Sequence, residues 1–391
     1  MRVNNDGNDS LNSTPAANRV RIAFFGLRNA GKSTLVNAFC RQEVAIVSDV
    51  PGTTTDPVSK AMEILPLGPC VITDTAGLDD VGALGGERVR RTLAVLATAD
   101  IAVWVEASPA DADGAAFRDR FFEECRRRSV PVVEYRRGDS VNELREKVAS
   151  VKVEQEPSIL DGLVASGDRV VCVCPIDESA PKGRLILPQV QVIRDCLDRG
   201  ATCVICQPGE LHACLAERSA GFGRAVFVVT DSQAFGEVKA AVEKFRASLP
   251  DGAPGVRLTS FSVLFARQKG DLAAYVRGLG AIAGLRDGDT VLVAEGCTHH
   301  RQCNDIGTVK IPKALRRLSG RNLSFSFASG ASFPLDEGPR PALVVHCGGC
   351  MLSRREVRRR IALAVEAGVP IVNYGLLLAA ANGLKAEDIV P

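Results

Sequence analysis

The phrase Gly26-Leu-Arg-Asn-Ala-Gly31-Lys32-Ser33 constrains the fold of this chain more than any other stretch. It is entered from the apolar run Val20-Arg-Ile-Ala-Phe-Phe25 and left through a helix-forming stretch, Thr34 to Arg41. Strand, G-x-x-x-x-G-K-S loop and helix, in that order, define a P-loop α/β domain. Backbone N–H groups wrap a phosphate at the helix N-terminus, Lys32 neutralises the β- and γ-phosphates, and the Ser33 hydroxyl reaches Mg²⁺. Asn29, Ala30, Gly31, Lys32, Ser33 and Thr34 are therefore nucleotide-binding candidates.

Two further phrases complete the phosphate site. Asp74-Thr-Ala-Gly77 ends an expected strand around Cys70 to Thr73, placing a carboxylate beside Mg²⁺ and the Gly77 N–H near the γ-phosphate. Gly52-Thr53-Thr54-Thr55-Asp56 offers threonine hydroxyls, Thr53 and Thr54 foremost, on a segment ordered by metal and phosphate. The three phrases together resemble the G1, G2 and G3 motifs of the TrmE–Era–EngA group of GTPases. That resemblance implies GTP as ligand, Mg²⁺ on Ser33 and Thr54, and a K⁺ ion held with the help of Asn29. Leu78 stands where Ras-like proteins carry glutamine, so no side chain is assigned as catalytic. Slow, regulatory hydrolysis is the expectation.

The guanine-reading motif Asn-Lys-x-Asp is not intact. The strand that should end in it reads Val130-Pro-Val-Val-Glu-Tyr-Arg-Arg-Gly-Asp139, with Glu134 and Tyr135 taken to stand at the Asn and Lys positions. Glu134 and Asp139 both remain as possible base acceptors. A helix over Val141 to Val148 follows at once, so one strand–helix unit of the usual domain is expected to be absent.

The far end of the chain carries different chemistry. Cys297-Thr-His299 is followed, after 46 residues, by His346-Cys347-Gly-Gly-Cys350, which together hold two of only four histidines. Three thiolates plus a weaker ligand suit zinc or an iron–sulfur cluster. His299 and His346 are candidate fourth ligands, and Cys303 stays open as another. Each group follows an expected strand, Thr290 to Ala294 or Ala342 to Val345, where open α/β sheets collect ligands. The chain has 13 cysteines, an odd number, and no secretory signal, which argues for reduced thiols. Cys172, Cys174, Cys203 and Cys206 lie in apolar strand-like runs and are read as core packing; Cys203 and Cys206, three apart, face opposite sides of a strand.

Between these ends, apolar runs alternate with amphipathic ones, as in a parallel sheet. Val170 to Cys174, Thr202 to Cys206, Ala225 to Val229 and Val256 to Thr259 are expected strands; Leu187 to Arg199, Glu210 to Ser219 and Phe235 to Leu249 are expected helices. No catalytic constellation stands out there. A net charge of +2 gives no argument for nucleic acid, and no stretch of eighteen clean apolar residues argues for a membrane span. The Asn-, Asp- and Ser-rich start reads as a disordered leader, 1–18, on a cytoplasmic protein.

The P-loop segment, the middle α/β segment and the terminal C-x-H…H-C-x-x-C together resemble the HydF family of [FeFe]-hydrogenase maturation factors, as does Ala180-Pro-Lys-Gly-Arg-Leu-Ile-Leu-Pro-Gln-Val-Gln191. The resemblance implies a P-loop GTPase-like domain (19–153), an α/β dimerisation domain (154–270) and an α/β iron–sulfur domain (271–391). It further implies a homodimer with a [4Fe–4S] cluster on Cys297, Cys347 and Cys350. Such a protein carries a diiron precursor, made with two radical-SAM maturases, and delivers it to apo-[FeFe]-hydrogenase, while the GTPase domain regulates partner exchange. The rival reading is a cation-activated GTPase of tRNA modification or ribosome assembly with a structural zinc site. It calls for a basic RNA-binding surface that the near-neutral charge does not supply.

Overall fold

The run from Ile22 to Phe25 is buried on both faces, which fits an inner strand of a covered parallel sheet. In the computed structural model it belongs to β1 (Val20–Phe25). The structure describes residues 16–40, 58–77, 92–106, 112–154, 156–176, 185–216, 226–250, 255–297, 305–330, 332–335 and 339–391. Two units result, Met1–Gln155 and Glu156–Pro391.

In the first unit β1 is joined by β2 (Val58–Ile64), β3 (Gly68–Asp74), β4 (Ile101–Val105) and β5 (Val132–Tyr135) in the order β2-β3-β1-β4-β5. Only β2 is antiparallel to its neighbour. Helices α1 (Lys32–Cys40) and α3 (Val141–Ala149) cover one face, packing Phe39 and Val148 against Ile22 and Phe24. On the other face, Phe121 and Cys125 of α2 (Ala112–Arg127) pack against Phe25 and Trp104. Among the described residues the sheet stops at β5, and Ser140 caps α3 directly after it by accepting from Glu143 N–H at 3.4 Å. Of the expected leader, 1–18, residues 1–15 lie outside the described residues. Ala16–Asn18 form a 3-10 turn in which Ala17 is buried.

The second unit is built twice over. Its first sheet holds β6 (Arg169–Val173), β7 (Thr202–Cys206), β8 (Val226–Thr230) and β9 (Val256–Ser260), all parallel, ordered β7-β6-β8-β9. Helices α4 (Leu187–Asp198), α5 (Leu211–Ala216), α6 (Phe235–Ala247) and α7 (Phe261–Lys269) follow its strands, and α8 (Leu272–Ala281) leads away. The second sheet holds β10 (Thr290–Ala294), β11 (Ser324–Ala328), β12 (Leu343–His346) and β13 (Ile371–Asn373), ordered β11-β10-β12-β13 and again all parallel. Its helices are α9 (Ile311–Ser319), α10 (Arg354–Glu366), α11 (Tyr374–Ala381) and α12 (Ala386–Ile389).

The correspondence holds bond by bond. Asp168 and Asp289 each fold the turn before the first strand by accepting, at 2.8 Å, the N–H three residues upstream. Cys174 N–H donates to Cys206 O, and Glu295 N–H to Ala328 O, both at 2.9 Å. Register then equates Thr230 with His346 and Ser260 with Asn373, each of the latter pair capping the helix that follows. The two halves also cross over. The segment after α7, α8, packs on β13, and the segment after α11, α12, packs on β9, where Thr259 Oγ1 donates to Ile389 O at 2.7 Å. One hydrophobic core runs through both sheets, so the position 270/271 expected to divide two domains falls inside one unit, where Asp271 caps α8.

The packing cysteines sit as their spacing implies. Cys172 and Cys174 share one core, which Cys203 borders, while Cys206 belongs to the core on the other face. His212 is exposed. No helix among the described residues is long and apolar enough to cross a membrane.

A buried ion pair fastens α10. Arg360, fully buried, donates from Nε to Glu356 Oε1 at 2.7 Å, and Arg359 donates to both oxygens of the same carboxylate. Burial alone would raise the Glu356 pKa, but the two guanidinium groups outweigh it and hold the carboxyl below its ordinary value. A depressed carboxylate contributes stability that is present above its unfolded pKa and lost as pH falls through the folded one. Glu356→Gln is therefore expected to cost about 3 kcal/mol at neutral pH, by leaving a buried arginine unpaired. Its stability should also fall less than wild type on acidification below about pH 4, the ordinary glutamate range. Urea denaturation across pH measures both; equal slopes would rule the account out.

Candidate functional site

The P-loop spans the turn between β1 and α1. Lys32 is buried, and its Nζ donates back across the loop to Gly26 O at 3.2 Å and Leu27 O at 2.8 Å. Ser33 Oγ donates to Asp74 Oδ2 at 2.5 Å. Asp74 Oδ1 is buried with no hydrogen-bond partner, and burial raises the pKa of this carboxyl against the opposing pull of Ser33 and Lys32. A hydroxyl and a carboxylate with a spare buried oxygen form a hard donor set that fits Mg²⁺. Gly77 lets the end of β3 meet the loop, since a Cβ there would lie 2.8 Å from Arg28 Cα. Asn29 is exposed and left-handed, with φ 58°. Thr53, Thr54 and Leu78 lie outside the described residues.

The structure places the two candidate base acceptors on different elements. Glu134 and Tyr135 are paired within β5, opposite Trp104 and Val105 of β4. The turn that leaves the strand is Arg136-Arg137-Gly138-Asp139, so of the two candidate acceptors Asp139 lies past the end of the strand. Asp139 Oδ2 accepts from Arg136 N–H at 2.8 Å, and its carbonyl accepts from the Tyr135 hydroxyl at 3.1 Å. Glu134 is engaged elsewhere, accepting from Arg118 Nη2 at 2.9 Å.

The cysteine groups meet because β10 and β12 are neighbours, with Ala294 opposite His346. The turn that carries Cys297 thus lies on Cys347: Gly296 N–H donates to Cys347 Sγ at 3.1 Å, and Gly349 N–H to the same sulfur at 3.4 Å. Gly349 is left-handed, φ 68°, and a Cβ there would come within 2.9 Å of Val357. Burial raises the Cys347 thiol pKa against these two N–H groups, and burial together with Cys347 pushes Cys350 up to about 11.

His346 is fully buried. Its Nδ1 lies 2.7 Å from Cys347 O and its ring packs edge-on to Phe333. Burial and Arg360 lower its pKa to about 4, so it is neutral, and Nε2 has no protein partner. Asn373 Nδ2 also donates to Cys347 O, at 3.4 Å. His299 and Cys303 lie outside the described residues. Among the described residues no three His, Cys, Asp or Glu side chains gather into one metal shell. The donor chemistry still fits a thiophilic group. Three half-buried thiols lie at the ends of adjacent strands, and one already receives the two backbone N–H bonds that a bound thiolate needs.

Known proteins match this chain in three blocks. Residues 273–389 match the family model described as hydrogen maturase F tetramerization domain, and 159–270 that of the hydrogen maturase F dimerization domain. Residues 21–134 match the model described as 50S ribosome-binding GTPase. The tRNA modification GTPase MnmE of Acidiphilium cryptum is 46% identical over 93 residues, 23% of this chain and 21% of that protein. MnmE of Bacteroides thetaiotaomicron is 32% identical over 145 residues, 36% of this chain and 30% of that protein. This chain therefore spans less than a third of either relative. A crystal structure of Aquifex aeolicus Era bound to GDP·AlF4⁻ aligns with 79% of this chain and 93% of that one, at 16% identity and a TM-score of 0.26, too low to bear on the fold.

Proposed function

Since this chain belongs to the hydrogen maturase F family, we propose that it is a scaffold and carrier in the maturation of [FeFe]-hydrogenase. In this reading Cys297, Cys347 and Cys350 hold a [4Fe–4S] cluster in the segment 271–391. A diiron precursor binds beside it as cargo, received from radical-SAM maturases and passed to apo-[FeFe]-hydrogenase. The observation that carries the proposal is the contact of Gly296 N–H with the Cys347 sulfur, which joins the two cysteine groups at one sheet end. When bound, a cluster held by three thiolates would supply one iron that no protein thiolate holds. The chain's own residues fix the loop: His346 and Asn373 address the Cys347 carbonyl, and two N–H groups address its sulfur. The segment 154–270 serves dimerisation. The matches to MnmE cover 23% and 36% of this chain and no more than 30% of those proteins, so they support a GTPase domain and not an RNA-modifying role.

The segment 19–153 binds GTP with Mg²⁺ on Ser33 and, through the switch, Thr54, and hydrolyses it to time partner exchange. Asn29 supports a K⁺ ion against the phosphates, so hydrolysis runs faster in K⁺ than in Na⁺. Asp139 reads the base. A carboxylate accepts the guanine N1–H and N2–H, whereas an amide presents a donor that suits xanthine. Asp139→Asn should lower GTP affinity at least about tenfold and raise XTP affinity, the size of one charge-assisted hydrogen bond. Competition binding with GTP, XTP and ATP measures it, and an unchanged ranking would remove Asp139 from the site.

The carrier role is tested by loading purified protein with cluster and diiron precursor and adding it to apo-hydrogenase without the other maturases. Hydrogen production is expected. A fully loaded sample that yields none would refute delivery.

A further inference from the structure

Lys269 ends α7, in the half of the unit that carries none of the three thiols, yet its amine reaches the cysteine loop. The side chain is fully buried. Its Nζ donates to Leu352 O at 2.8 Å, Cys350 O at 3.4 Å and Gly349 O at 3.5 Å, and stands 5.4 Å from the centre of the Phe265 ring. Removing an ammonium from water costs several kcal/mol, so a neutral side chain is the cheaper choice for such a place.

The duplicated fold supplies the comparison within one molecule. Ser260 corresponds to Asn373, so by count along α7 and α11 Lys269 corresponds to Asn382, and each is followed by a glycine, Gly270 or Gly383. Thr230 corresponds to His346, so the counterpart of Leu352 is Gly236. The contact is repeated too: a Cβ on Gly236 would lie 3.2 Å from Asn382 Oδ1. In both halves, then, the residue ending this helix sets a polar group against the segment after the third strand. It is an uncharged amide where that segment begins Asp231-Ser-Gln-Ala, and a buried cation where it begins Cys347-Gly-Gly-Cys.

We infer that Lys269 is a positioning residue for the cysteine site, holding the Cys347–Cys350 loop by its carbonyls and placing a fixed positive charge under an anionic iron–sulfur group. It does so from the block matched as the dimerization domain, while the loop lies in the block matched as the tetramerization domain, so the two are mechanically joined at the site. A cation there favours the more reduced, more negative state of a cluster and raises its potential.

The inference rests on the iron–sulfur reading above, and one experiment separates the two. Wild type, Lys269→Arg, Lys269→Met and Asn382→Leu are reconstituted anaerobically with iron and sulfide. Iron content, midpoint potential by redox titration followed by electron paramagnetic resonance, and the rate of iron loss to a chelator are then measured, with circular dichroism as the fold control. Lys269→Met should show a lower midpoint and roughly tenfold faster iron loss, the size usual for residues that support metal ligands. Lys269→Arg should restore the midpoint, and Asn382→Leu should leave both readings as in wild type. If Lys269→Met does not fold, Lys269→Gln, neutral but still a donor, should show the same drop. A wild type that takes up no cluster overturns the iron–sulfur reading itself. A cluster-bearing wild type whose Lys269→Met and Lys269→Gln forms keep its midpoint and its rate overturns the role of Lys269 alone.

Discussion

Replacing Cys347 with alanine is expected to abolish cluster assembly outright. Its sulfur is held by two backbone N–H groups, from Gly296 and Gly349, which belong to the segments that follow the neighbouring strands β10 and β12. Its loss leaves at most two thiolates for a group that needs three, and removes the atom that joins the two segments. Reconstituted Cys347→Ala should carry no brown chromophore and no iron–sulfur signal, with Cys297→Ala and Cys350→Ala behaving alike. His346→Gln should stay coloured but with an altered signal, because that ring addresses the carbonyl of Cys347. A Cys347→Ala protein with full iron and sulfide content would refute the ligand set; a colourless wild type that binds one zinc would favour a closed structural site instead.

The second large effect is expected at Lys32. This ammonium, buried and turned onto the carbonyls of Gly26 and Leu27, gives up those bonds when a phosphate enters the loop. Lys32→Ala removes a charge-assisted contact worth about 3 kcal/mol, so nucleotide affinity should fall on the order of a hundredfold. Hydrolysis should fall with it. Because the P-loop unit has its own sheet and its own core, the cluster signal of Lys32→Ala should match wild type. Titration calorimetry with GTP and Mg²⁺ measures the loss, and an affinity within threefold of wild type would mean that the phosphates bind elsewhere.

Much of this was legible in the sequence because it rests on local rules. Strand Thr290–Ala294 follows from an uninterrupted β-branched and apolar run, and the P-loop from a phrase whose neighbours on both sides agree with it. The cysteine groups stand out because two of only four histidines lie beside closely spaced thiols at expected strand ends. What stayed hidden depends on partners distant in sequence. Lys269 reads as an ordinary helix-ending lysine until the loop 80 residues away closes over it. The edge strand Ser324-Phe-Ser-Phe-Ala328 stayed hidden because its faces are mostly open to solvent, so it lacks the continuous apolar run of an inner strand. The duplication was invisible because its halves agree in register and turn geometry, while their side chains have diverged: Thr230 against His346, Ser260 against Asn373. Residue types alone also do not say where the pairing of β5 ends, which left Glu134 and Asp139 both open as base acceptors.

The bond from Thr259 to Ile389, spanning 130 positions, bears on how the molecule breathes. Because α12 is laid on β9 and α8 on β13, neither sheet can lose its fourth strand without stripping a helix from the other. Local opening therefore has no cheap starting point between the halves, and both share one cooperative unit. For a carrier this is a division of labour by stiffness. A handover that required the cysteine sheet to swing away from its companion would have to melt both, so in the proposed carrier role cargo exchange would proceed above an undeformed frame.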